Sequence, residues 1–355
     1  MKKVGLITFH DTTNFGSLLQ TYGLYRKVNE LGYYCEVVDY QCRNIVEREL
    51  PQPLEWKGSL KVFLKDSLKR IVRRRKYSQL HRFLLSNMHV SPGCDRNTLS
   101  EIRDRYDKYL IGSDITWGMD VIGQDTTFFL DFEQDSRKKT AFAASAGNPW
   151  AEEHKNIVGP LLKDFDFIAV REDETAEWVE ELTGSRPKVV CDPTMLITSD
   201  EWKKFCSPRK EAGKYVLVYF DNNAGDCLAS AKKYARKYGL KVKLIGYGRP
   251  RRDVDVVRPY SVEDFLSLIN DAAFVVTASY HGMLFSTYFN KDFAYFNRAH
   301  KSRMNTLANR LGVIDREGGV NDVLEMGPVD FDVVNQKVED YRKDSMDTLS
   351  ELLAR

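Results

Sequence analysis

A chain of 355 residues is longer than one hydrophobic core usually serves, so two domains are expected. A content of 43% hydrophobic and 29% charged residues belongs to a folded protein and excludes a disordered one. Lys and Arg (53) nearly balance Asp and Glu (51), which removes the global electrostatic case for a nucleic-acid partner.

The chain opens on Met1-Lys2-Lys3-Val4. The apolar run ends at His10-Asp11, too short for a secretion signal, and reads as a first strand, Lys3–Phe9. Gly16–Leu31 follows as a helix with Leu18, Tyr22, Tyr25 and Val28 on one face, closed by Gly32. Cys35–Tyr40 is the next strand. A long charged helical region then carries Lys69-Arg70-Ile-Val-Arg73-Arg74-Arg75-Lys76, with Leu68, Ile71, Val72, Leu80, Phe83 and Leu84 as its apolar stripe. No aromatics interleave the basic run, which reads as a solvated helix face, with contact to a membrane-held substrate as the alternative.

Tyr109–Gly112, Lys139–Ser145, Phe167–Arg171 and Lys188–Cys191 read as strands, mostly with helices between them. A second series opens at Tyr215–Phe220. It runs through helix Gly225–Tyr238, strand Lys241–Tyr247, helix Val262–Ile269, strand Phe274–Ala278, helix Gly282–Phe289 and strand Phe293–Phe296. Such alternation predicts parallel sheets with crossover helices: an α/β chain of two Rossmann-like domains facing a cleft. The expected domains are 1–205 and 213–330, joined through the polar Ser207-Pro-Arg-Lys210 stretch. A helix within 335–355 folds back on the first domain. No run approaches the ~18 apolar residues of a membrane span. Six cysteines without a Cys-x-x-Cys pair fit a reducing cytoplasm, and no His-x-x-x-His spacing suggests a metal site.

Doubly wound sheets bind ligands beyond the carboxyl ends of their strands. Phe274–Ala278 ends there, and a helix is expected to start around Gly282. Ser279 and His281 therefore sit in a turn where backbone N–H groups and the helix dipole favour an anion. Ser279 is also a natural helix cap. A second helix start holds His10, Asn14, Gly16 and Ser17 after the first strand; backbone turn chemistry accounts for these residues equally well. Neither G-x-G-x-x-G nor G-x-x-x-x-G-K-[ST] occurs, so no nucleotide cofactor is expected. Arg171 closes its strand either as a bidentate clamp for a carboxylate or phosphate, or in a salt bridge with Glu172 or Asp173. Asp114, after Gly112-Ser113, is a general base, an acceptor-binding carboxylate or a helix cap. Arg249, Arg251 and Arg252, after strand Lys241–Tyr247, read as a solvated loop, with contact to an acidic substrate as the alternative.

Several separated blocks resemble the polysaccharide pyruvyl transferase family. They are Gly5-Leu-Ile-Thr-Phe-His10, Asn14-Phe-Gly16 with Leu19-Gln20, Val38-Asp39-Tyr40, and Gly112-Ser-Asp114 with Trp117. Further along come Ala143-Ala-Ser145, Val170-Arg-Glu172, Asp192-Pro-Thr194 and Thr277-x-Ser279-x-His281-Gly282. The chain departs from the family at Ile115 and Gly118, where Gln and Asn are frequent. The resemblance implies a GT-B-like fold and transfer of pyruvyl from phosphoenolpyruvate, as co-substrate, to saccharide hydroxyls, with no further cofactor. It assigns His281 and Arg171 to donor catalysis and Ser279 and Gly282 to donor binding. His10, Asn14, Gly16, Ser17 and Asp114 fall on the acceptor or cleft side. Open alternatives are a nucleotide-sugar glycosyltransferase on the same fold and a non-catalytic sugar- or phosphate-binding relative.

Overall fold

The computed structural model describes residues 1–54, 60–207, 212–220, 226–248, 250–297, 302–319 and 322–355. Pro208–Lys210, Gly225 and Arg249 lie outside the described residues.

The chain divides into two compact units. The first has six strands: β1 (Lys3–Ile7), β2 (Tyr34–Val37), β3 (Lys108–Ile111), β4 (Lys139–Ala144), β5 (Phe167–Val170) and β6 (Lys188–Val189). All pair in parallel, in the order β2-β1-β3-β4-β5-β6. Between them come α1 (Phe15–Glu30), α2 (Arg43–Glu49), α3 (Leu60–Asn87), α4 (Met119–Ile122), α5 (Glu152–Lys163) and α6 (Asp173–Thr183). Every residue of β3 and β4 is buried, as expected for a parallel sheet covered by helices on both faces. Gly23 lets α1 approach closely: a Cβ there would stand 2.3 Å from the Pro193 carbonyl oxygen.

The second unit carries β7 (Tyr215–Tyr219), β8 (Lys241–Ile245), β9 (Asp255–Val257), β10 (Phe274–Thr277) and β11 (Phe293–Tyr295). Their order is β11-β10-β7-β8-β9, again all parallel. Its helices are α7 (Ser199–Lys203), α8 (Asp226–Tyr238), α9 (Val262–Asn270), α10 (Tyr280–Tyr288) and α11 (Ser302–Leu311), followed by α12 (Phe331–Ala354). Each unit has its own apolar core, one around Ile111, Trp117 and Phe129, the other around Val218, Val276 and Ala294.

The division of the chain differs from the sequence expectation at residues 53–79 and 198–205, and the second unit runs on to 339. Residues 53–79 group with the second unit, together with 198–339, while 340–355 belong to the first. The local reason is in α3, where Arg75 lies 4.5 Å over the Tyr260 ring and Lys76 lies 4.3 Å over Tyr247. In the first unit the backbone N–H of Cys191 donates to Ser345 Oγ (2.9 Å), and Tyr33 Oη donates to the Leu353 carbonyl (2.8 Å). The apolar stripe read along α3 also breaks: Leu80, Phe83 and Leu84 are buried, but Leu68 and Ile71 are 67% and 63% exposed. Among the described residues no helix is long and apolar enough to cross a membrane.

Candidate functional site

Strand order fixes where each unit can bind a ligand. The first sheet reverses direction between β1 and β3, the second between β7 and β10, and crevices open at such switch points.

At the first switch point, Asn14 caps α1, its Oδ1 accepting from Gly16 N at 3.0 Å. Ser17, buried in the first turn, donates its hydroxyl to Asp114 Oδ2. Asp114 sits just beyond β3 with φ +74°, a left-handed conformation costly for a non-glycine residue and often met at functional sites. Its Oδ1 accepts from Ile115 N at 2.9 Å, so the half-buried carboxylate is held in place from both sides.

His10 plays a different part from the one a catalytic base would. Its Nε2 lies 3.0 Å from Asp39 Oδ1 and its Nδ1 lies 3.1 Å from the Thr8 carbonyl. A carboxylate and a carbonyl both accept, so the buried ring donates at both nitrogens as an imidazolium. Burial pushes the His10 pKa down. The hydrogen bond and charge of Asp39, the Thr8 carbonyl and Asp11 more than offset it, and the net shift is upward. Asp39 is drawn the other way: burial raises it, but His10, Gln41 and His81 hold it below the usual carboxylate value. His10, Asp11, Tyr40, Gln41 and Phe128 line a small pocket here. Asp39 and Gln41 were not among the residues singled out in the sequence, although Asp39 lies in a family block at the end of the neighbouring strand.

Arg171 makes the salt bridge with Glu172 that the sequence left open beside the clamp. It is 3% exposed, its Nε donates to Glu172 Oε1 (2.6 Å), and Nη1 donates to Asp192 Oδ2 (3.0 Å) and Ser113 Oγ (3.1 Å). Asp192 also accepts from the backbone and hydroxyl of Thr194. Three family blocks far apart in sequence thus meet in one buried ionic network, the salt-bridge alternative extended by a second carboxylate. The Arg171 Nε and Nη1 donors are thus committed to two carboxylates and a serine hydroxyl.

At the second switch point, Ser279 is the N-cap of α10, its Oγ accepting from Gly282 N at 3.3 Å. The helix starts at Tyr280 and not near Gly282, because the cap engages the third residue onward. His281 therefore stands inside the first turn, half-buried, its ring edge-on to Tyr280. Gly282 serves packing: a Cβ there would lie 2.3 Å from Thr277 Oγ1 and 2.9 Å from Tyr219 Cδ1. Thr277 Oγ1 in turn donates to the Tyr219 carbonyl (2.5 Å), fixing the ends of β7 and β10 against each other. Phe220, left-handed at φ +56° and 45% exposed, flanks this end of the sheet. Sequence patterning carried no signal for Tyr219 or Phe220, since only strand order makes them neighbours of β10.

Among the described residues no group of three or more His, Cys, Asp or Glu side chains is placed to hold a metal ion. None of the six cysteines is in a disulfide.

The family model described as polysaccharide pyruvyl transferase matches residues 14–300. No curated protein matches the chain by sequence. Among solved structures, UDP-GlcNAc 2-epimerase from Neisseria meningitidis, bound to UDP-GlcNAc, superposes with a TM-score of 0.52 at 12% identity, covering 100% of both chains. The UDP-GlcNAc 2-epimerase from Methanocaldococcus jannaschii gives 0.48 at 10% identity, covering 96% of this chain and 92% of the other. At 12% identity the likeness to the Neisseria enzyme establishes the fold alone, two Rossmann-like domains of GT-B type.

Proposed function

Since the chain belongs to the polysaccharide pyruvyl transferase family, we propose that it transfers pyruvyl from phosphoenolpyruvate to two hydroxyls of a surface-polysaccharide precursor, closing a ketal. The observation that carries this reading is the family match over residues 14–300; to His281, in the first turn of α10, we assign the part of donor histidine. Phosphoenolpyruvate brings a phosphate and a carboxylate, and the N-terminal turn of a nine-residue helix favours an anion. Protonation at C3 leaves an oxocarbenium-like C2. One sugar hydroxyl adds to it, phosphate departs with its bridging oxygen, and the second hydroxyl closes the ring. Of the two hydroxyl protons, one balances the new methyl group and the other leaves with phosphate. His281, as an imidazolium, supplies the C3 proton or neutralises the departing phosphate. Asp114, oriented by Ser17 and its own backbone, receives an acceptor proton. Ser279 and Gly282 act through the shape of the turn. The proposed setting is the cytoplasm, with the saccharide carried on a lipid.

The second reading, a sugar-nucleotide enzyme, is favoured by the fold, since the Neisseria epimerase holds UDP-GlcNAc on the same architecture. His281 would then face a diphosphate. Thermal shift in chelator-containing buffer separates the two. Phosphoenolpyruvate at ~100 times its Kd should add about 2.7 kcal/mol, and UDP or GDP little. His281→Asn should keep the fold while losing about 10²–10⁴ in turnover. The reverse ligand order transfers the site to a sugar nucleotide, and silence from both favours a non-catalytic relative.

A further inference from the structure

The first part of α3 has an exposed face that is neither core nor ordinary solvated surface. Residues 60–79 contain eight Lys and Arg against Asp66 alone, in a chain whose net charge is only +2. Leu60, Leu68 and Ile71 on this stretch are 63%, 67% and 63% exposed, and Val62 is 39% exposed. Scattered exposed hydrophobics are common on any surface. Here four of the eleven large ones among the described residues fall within twelve positions. At 100° per residue, Leu60, Leu68, Ile71, Arg74, Arg75 and Ser78 share a sector about 120° wide, and they extend about 27 Å along the axis. Arg74 and Arg75 are exposed beside the apolar residues, Arg75 while resting over Tyr260.

A face that places exposed aliphatic side chains and arginines together matches a boundary where hydrocarbon meets anionic headgroups. A nucleic acid would use the charge but leave the aliphatic residues in water, and the sector holds no aromatic side chain for base stacking. We infer that residues 60–78 of α3 form a peripheral docking surface for an anionic lipid bilayer, with Leu60, Leu68 and Ile71 entering the interface and Arg74 and Arg75 engaging headgroups. The inference does not depend on the chemistry proposed for His281, and its test reads binding alone.

The full chain is sedimented with vesicles of phosphatidylcholine, and with vesicles in which about a third of the lipid is phosphatidylglycerol. Binding is expected to the anionic vesicles only and to weaken as salt rises. Arg74→Gln with Arg75→Gln should lower partitioning about 30-fold. Leu68→Gln with Ile71→Gln should lower it about tenfold or more at unchanged melting temperature. Equal binding to neutral vesicles, or none to either, overturns the assignment. So does tighter binding to a single-stranded RNA that survives the Leu68 and Ile71 changes. Self-association abolished by those changes would assign the face to a second copy of the chain instead.

Discussion

Arg171 shows how burial changes what a charged residue is for. Glu172 and Asp192 are 2% and 1% exposed, so their charges depend on the guanidinium between them. Removing one partner of a buried ionic group strands the others, at a cost of about 3–5 kcal/mol. Arg171→Met is therefore expected to lower the unfolding free energy by that amount in urea titrations. A loss below about 1 kcal/mol would return Arg171 to ligand binding. His10 and Asp39 predict a pH dependence whose sign follows from their opposite shifts. A raised histidine contributes stability below its ordinary 6.5 and loses it as pH rises through the folded value. A lowered aspartate contributes above its ordinary 3.8 and loses it as pH falls through the folded value. The pair is thus fully effective between those two values. His10→Gln should cost about 1–2 kcal/mol near pH 5 and clearly less near pH 9. Parallel stability curves for parent and variant across that range would show that His10 is not held as a cation.

At the scale of elements, the two departures from the family pattern explain each other. A Cβ on Gly118 would lie 2.5 Å from Ile115 Cγ2 and 3.0 Å from the Ala146 carbonyl oxygen. Ile115 occupies the space a side chain at 118 needs, so the turn leading into α4 accommodates one or the other. Gly118→Ala should destabilise by about 1–3 kcal/mol through overpacking. Combined with Ile115→Ala, the total should fall short of the sum of the single changes by about 1 kcal/mol or more. Strict additivity in denaturant melts would separate the two positions. The boundary of α10 was legible only in part, because Ser279 was recognisable as a cap but the turn it caps begins one residue later, at Tyr280. For α3 the apolar stripe was visible, yet periodicity cannot tell a stripe that meets a core from one left in solvent.

For the whole molecule, the sequence by itself determined the fold class, the family and the two series of strands apart from β9, a three-residue edge strand too short to show a pattern. Each of these is written locally, in buried runs of four to six residues and in short blocks at strand ends. It also determined that His281 follows a strand and enters a helix, because a cap and a glycine mark that turn. Only the tertiary structure decided the order of the strands, and with it which strand ends share a switch point. That choice brought Tyr219 beside Gly282, and Ser17 onto Asp114. Tertiary packing likewise decided the fate of the charges. Arg171, 21 residues from Asp192 and 58 from Ser113, became part of a buried network, and His10, 29 residues from Asp39, became a cation. Whether a side chain meets solvent, a ligand or an opposite charge depends on groups distant along the chain, whereas hydrophobic period and capping are properties of neighbours.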